Sequence, residues 1–155
     1  MLVINRILCP VDFSKPSARA LEYALALAER LGAQVDVIHV YEFPYFAVED
    51  GAVELPPYMQ ENLAMRLRER LEQFVNETAA DAPKTTVHLA EGVPYLQIVE
   101  VAKQQQADLI VIGTHGRTGL SHMMLGSVAE RVVRTSEVPV LTVHEKRASS
   151  GDIIN

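Results

Sequence analysis

Residues that could do chemistry gather late in the chain, where it reads Gly113-Thr114-His115-Gly116-Arg117-Thr118-Gly119 and, after residues 120–125, Gly126-Ser127. Glycines tolerate positive φ and let a ligand approach the backbone closely. A helical stretch opens at Ser127, so a hydroxyl stands beside amide N–H groups at a helix N-terminus, a place that favours anions. The stretch is locally basic: residues 113–134 hold Arg117, Arg131 and Arg134 against the single acid Glu130. Together these features describe a phosphate cradle. The same glycines would serve equally as turn punctuation in a plain strand-to-helix connection.

Two familiar templates fail. A Gly-x4-Gly-Lys-Ser/Thr loop needs Gly-Lys where Thr118-Gly119 stands. A Gly-x-Gly-x-x-Gly dinucleotide fingerprint belongs after the first strand, where this chain has Pro10-Val11-Asp12-Phe13-Ser14. Any phosphates must therefore lie over the second half of the sheet. Asp12, at the end of the first strand, stands across the expected switch point from Gly113. Its carboxylate could accept hydrogen bonds from a ribose or base, or could cap the next helix.

Other reactive types carry less. His39, His88, His122 and His144 lack metal-ligand spacing. Cys9, within an apolar strand beside Pro10, reads as an inert core thiol. Met123-Met124-Leu125 reads as packing. No carboxylate occurs between Gly113 and Ala129, so a metal-assisted phosphoryl transferase lacks its ligands there.

The elements that position these residues alternate. Residues 3–11 form an apolar strand, and Ser14 is a candidate N-cap for a helix over 16–31 that Gly32 closes. A second strand covers 34–41. From 42 to about 57, Pro44, Gly51, Pro56 and Pro57 break the pattern among acidic and aromatic residues, which predicts a long loop without strands. Glu42, Glu49, Asp50, Glu54 and Glu61 meet no Lys or Arg over residues 42–65. A helix over 58–79 follows, carried by Leu63, Leu67, Leu71, Phe74 and Val75. Then come a strand over 85–91, a helix from Pro94 to about 106, and the strand Ala107-Asp108-Leu109-Ile110-Val111-Ile112-Gly113. A helix over 127–135 and a strand over 138–144 complete the order. Strand–helix alternation with near-continuous apolar strands means α/β: a doubly wound, mostly parallel sheet with helices on both faces. Ligands in such sheets sit beyond the carboxyl ends of the strands where the strand order reverses.

The composition agrees with one domain. The chain has 155 residues, 48% of them hydrophobic, enough to bury a core without staples and too apolar for general disorder. A net charge of -6 argues against a general nucleic-acid binder. No apolar run approaches the roughly 20 residues that cross a bilayer, and no signal peptide is visible. A cytoplasmic location is expected, with one domain over residues 1–145 and a frayed tail over 146–155.

The spacing Gly113-x2-Gly116-x9-Gly126-Ser127 resembles the ATP-binding signature of the universal stress protein family. Pro10-Val11-Asp12, Ala24-x-Ala26-x-Ala28, Asp108-Leu109-Ile110-Val111-Ile112-Gly113 and Val138-Pro139-Val140 extend the resemblance over about residues 3–144. It implies a five-stranded parallel sheet of order 3-2-1-4-5, like that of the adenine-nucleotide alpha hydrolases, and a homodimer through the last strand, residues 138–143. It further implies that base and ribose lie near Pro10, Val11, Asp12 and Val40. The triphosphate of ATP (or the phosphates of ADP or AMP, with Mg2+) lies at Gly113, Gly116, Gly126, Ser127 and Val128. His115 and Arg117 join the site by loop position and charge. The expected role is a nucleotide-responsive module in a stress response, acting on a protein partner, and not an enzyme. One alternative is a slow ATPase or a nucleotidyl- or phosphotransferase. Adenylyl-transferring relatives of the fold carry a histidine pair near the first helix, and residues 10–20 contain none. The other alternative is an ATP-independent dimeric scaffold.

Overall fold

The computed structural model describes residues 3–43, 46–48, 51–53, 55–79, 85–114 and 125–144. Five parallel strands, β1 (Arg6–Pro10), β2 (Gln34–Tyr41), β5 (Thr85–Glu91), β6 (Leu109–Gly113) and β7 (Val140–Val143), form one sheet in the order β5-β2-β1-β6-β7. Counted among themselves these strands run 3-2-1-4-5, the order expected. Among the described residues four helices alternate with them: α1 (Lys15–Leu31), α2 (Pro57–Thr78), α3 (Pro94–Gln104) and α4 (Ser127–Thr135).

Strand alternation divides the core in two. Ile7, Cys9, Val35, Val37 and Val111 face one way and pack with Ala24 and Ala28 of α1 and with Leu71 and Val75 of α2. Leu8, Ile38, Ile110 and Ile112 face the other way and pack with Ile98 and Ala102 of α3 and Ala129 and Val132 of α4. The result is three layers. Ser14 caps α1 as expected, its hydroxyl accepting from the Ser17 N–H at 3.2 Å. Gly32 ends α1 in the left-handed conformation at φ 69°.

The segment after β2 is the main departure from the sequence expectation. The long strandless loop expected over 42–57 contains a two-stranded antiparallel ribbon, β3 (Phe46–Val48) and β4 (Gly51–Val53). Strand ends also differ, for local reasons. β1 begins at Arg6 rather than residue 3: its ladder with β2 starts at the Arg6–Gln34 pair, and the Asp108 carboxylate takes the N–H groups of Asn5 at 2.7 Å and Arg6 at 3.0 Å. β7 begins at Val140 rather than 138, because Val138 N–H binds the Ser136 hydroxyl at 3.0 Å and Pro139 has no N–H to give. The expected tail lies outside the described residues. No helix among the described residues is long and apolar enough to cross a membrane.

Candidate functional site

Strand order reverses at β1: the chain steps outward to β2 and β5, then returns to the far side with β6 and β7. A cleft must open above the carboxyl ends of β1 and β6 at that point. A cavity of about 280 Å³ lies there, near the lower end for small-molecule pockets.

Its floor and walls come from separate parts of the chain. Pro10, Val11 and Asp12 close the end of β1, and Val40 stands on β2. Gly113 ends β6, while Gly126, Ser127 and Val128 form the entry to α4. All eight described residues singled out from the sequence thus line one cavity, although 118 positions separate Pro10 from Val128. His115, Gly116 and Arg117 lie outside the described residues, as do Thr118, Gly119, His122, Met123 and Met124.

The cavity also has lining residues that the sequence reading did not single out. Ile38 sits two residues before Val40 and so shares its face of β2. Ile98 and Ile112 complete an apolar wall, and Pro94 brings in the first turn of α3. Ser17 and Thr114 add hydroxyls. Strand periodicity could have found Ile38 and Ile112, and the rule of strand ends could have found Pro94.

Asp12 is held in place. Its Oδ1 accepts from the Ser14 N–H at 3.1 Å and from the Ser14 hydroxyl. Its own N–H donates to the Ser17 hydroxyl at 3.3 Å. Ser14, not Asp12, caps α1, so the carboxylate is oriented by the cap rather than being the cap.

The entry to α4 is built differently. Its N-cap is Gly126, which has no side chain to cap with. The first N–H groups of a helix have no acceptor within it, and here they belong to residues that line the cavity. The Gly126 N–H is committed to the Thr114 carbonyl at 2.6 Å, and Thr114 N–H to Val143 O at 3.1 Å. These two bonds tie the helix entry to the sheet. The local basicity read from the sequence does not reach the cavity through α4: Arg131 lies over the Tyr95 ring at 5.1 Å, and Arg134 pairs with Glu130 at 3.5 Å.

The remaining histidines and the cysteine sit elsewhere. His39 is buried and donates from Nδ1 to the Val11 carbonyl at 2.8 Å. His88 Nε2 lies 3.2 Å from Asp36 Oδ1, and Arg6 holds the other oxygen of that buried carboxylate at 3.1 Å. His144 is exposed. Burial pushes the Cys9 thiol far up from its ordinary pKa. In the acidic segment Glu42 and Glu61 are exposed, and Glu49, Asp50 and Glu54 lie outside the described residues.

The chain matches known proteins along nearly its whole length. The family model for the universal stress protein family matches residues 4–144. The chain belongs to the universal stress protein family. It is 34% identical over 145 residues to universal stress protein MJ0531 of Methanocaldococcus jannaschii, covering 92% of this chain and 84% of that one. Among solved structures, universal stress protein UspA from Lactobacillus plantarum superposes with a TM-score of 0.74 at 26% identity, covering 91% of this chain and 98% of that one. A universal stress protein in complex with cAMP superposes with a TM-score of 0.69 at 25% identity, covering 93% and 99%. The sequence resemblance to this family, and the fold it implied, therefore hold.

Proposed function

We propose that this universal stress protein binds an adenine nucleotide, ATP or its di- or monophosphate, in the cavity above β1 and β6. One observation carries the reading. Eight residues chosen from sequence spacing, spread over four segments, line one cavity that an uncapped helix N-terminus enters. The universal stress protein in complex with cAMP supports the class of ligand. Base and ribose lie against Pro10, Val11, Asp12 and Val40. The phosphates lie at Gly113, Gly126, Ser127 and Val128, joined by His115, Gly116 and Arg117.

The chain acts as a nucleotide-responsive module rather than a catalyst. Asp12 is the only carboxylate among the described lining residues, its Oδ1 is engaged by Ser14, and the sequence from 113 to 129 supplies no other. Two carboxylates or a carboxylate and a hydroxyl on the phosphate side would be expected of a metal-assisted phosphoryl transferase. Magnesium, which keeps several waters and binds readily to phosphates, would arrive on the nucleotide. The protein is cytoplasmic and homodimeric through residues 138–143, and occupancy of the site changes a surface read by a protein partner.

Equilibrium titration of the full chain with ATP and magnesium tests this reading. Saturation at one nucleotide per chain is expected; no saturable binding at millimolar nucleotide would contradict it. Ser127→Pro sharpens the test. Proline is tolerated at the first helical position, and Gly126 at φ -58°, ψ 150° already has the backbone that precedes proline well. The variant should fold yet lose an N–H and a hydroxyl, weakening ATP binding by roughly tenfold or more.

A further inference from the structure

Phe13 follows Asp12 directly and has φ 65°, in the left-handed region. A bulky residue rarely adopts that conformation, and one held there needs surroundings that enforce it. The surroundings are explicit. The Phe13 ring packs on His39 with centroids 4.3 Å apart and meets Phe74 of α2 edge-on at 5.5 Å. The Arg70 guanidinium, also on α2, lies over the same ring at 4.3 Å. His39 in turn donates to the Val11 carbonyl. A stack therefore runs from α2 through Phe13 and His39 to Val11 and Asp12, the two residues after β1 that line the cavity.

We propose that Phe13 is a positioning residue for the nucleoside end of the site, clamped by Arg70 and Phe74 so that helix α2 sets how well Val11 and Asp12 receive their ligand. The proposal rests on the nucleotide-binding reading and deepens it. The left-handed turn at Phe13 brings the Ser14 N–H back to the Asp12 carboxylate. Without the ring contacts the turn is free to relax toward ordinary φ, and the carboxylate loses its orientation. Arg70 is on the face of α2 that meets the stack, and it is not among the residues lining the cavity. Its contact route to the ligand runs through Phe13, and the only other route is long-range charge.

The experiment is calorimetric titration of ATP and of AMP into the parent chain, Arg70→Met, Arg70→Lys, Arg68→Met and Phe13→Leu, with a melting curve for each. Arg70→Met and Phe13→Leu are expected to weaken both nucleotides by the same factor, about three- to tenfold. Arg70→Lys, which keeps a cation over the ring, should restore most of the loss. Arg68, on the same helix and paired with Glu72 at 3.7 Å, controls for charge, and Arg68→Met should bind as the parent does. Unchanged binding by Arg70→Met and Phe13→Leu overturns the proposal. So does a loss larger for ATP than for AMP, or one shared by Arg68→Met, since either is the mark of long-range charge alone. A parent chain that binds neither nucleotide overturns the nucleotide reading and this inference with it.

Discussion

Behind Gly113 stands the Pro16 carbonyl: a Cβ on Gly113 would come within 2.9 Å of that oxygen. The glycine that marked the loop in the sequence is thus also required by the close packing of β6 on the start of α1. Spacing could show the residue type but not this reason, since Pro16 is 97 positions away. Cys9 offers the cleanest residue-scale test. An unfolded thiol ionises from about pH 8.5, whereas burial keeps the folded Cys9 protonated well above that. Over that range the unfolded chain binds fewer protons, so stability falls as pH rises, with a slope from this group that approaches about 1.4 kcal/mol per pH unit only once the unfolded thiol is fully ionised. Tyr41, raised by burial and by Glu91, adds a decline of the same sign only from about pH 10 and in both chains alike. Urea denaturation between pH 7.5 and 10 should therefore show a steeper loss in the parent than in Cys9→Ala. Equal slopes would mean that the folded thiol ionises normally.

Regular elements were legible where the side-chain pattern is long enough to show: a continuous apolar run in β2, alternation in β5 and one apolar face in α4. β2, β5 and α4 begin and end where their apolar patterns do. The ribbon β3–β4 was not legible, because three-residue strands are too short to show alternation. The Asp50-Gly51 dipeptide, a common hairpin signal as a two-residue loop, is one residue out of register, since Gly51 already pairs with Val48 in β4. Helix α2 shows what pattern alone misses. Leu63, Leu67, Leu71, Phe74 and Val75 share an apolar stripe, yet only Leu71 and Val75 are fully buried, and Tyr58, Met59 and Met65 are exposed. The helix is therefore anchored through its second half, the half that carries Arg70 and Phe74. Leu71→Ala should cost about 2–5 kcal/mol, and Met65→Ala no more than about 0.5 kcal/mol, by chemical denaturation. Similar costs for the two would place the anchor elsewhere on the helix.

At the scale of the molecule the sheet has two edges, β5 and β7, and each of these strands pairs with one neighbour among the described residues. An edge with apolar side chains invites pairing, and Leu141 on β7 is 39% exposed. If the homodimer forms there, Leu141→Lys should give monomers by native mass spectrometry where the parent gives dimers; dimers of both would move the interface off this strand. The switch point, in contrast, needed only the order of strands to be located, and that order came with the family resemblance, whereas the wall residues Ile38, Ile98 and Pro94 were not singled out beforehand. The most direct measurement is a crystal of the full chain soaked in ATP. Density for a nucleotide is expected between Asp12 and Val40 on one side and the Gly126–Val128 amides on the other. A cavity without nucleotide at saturating ATP, or nucleotide bound away from it, would contradict the account.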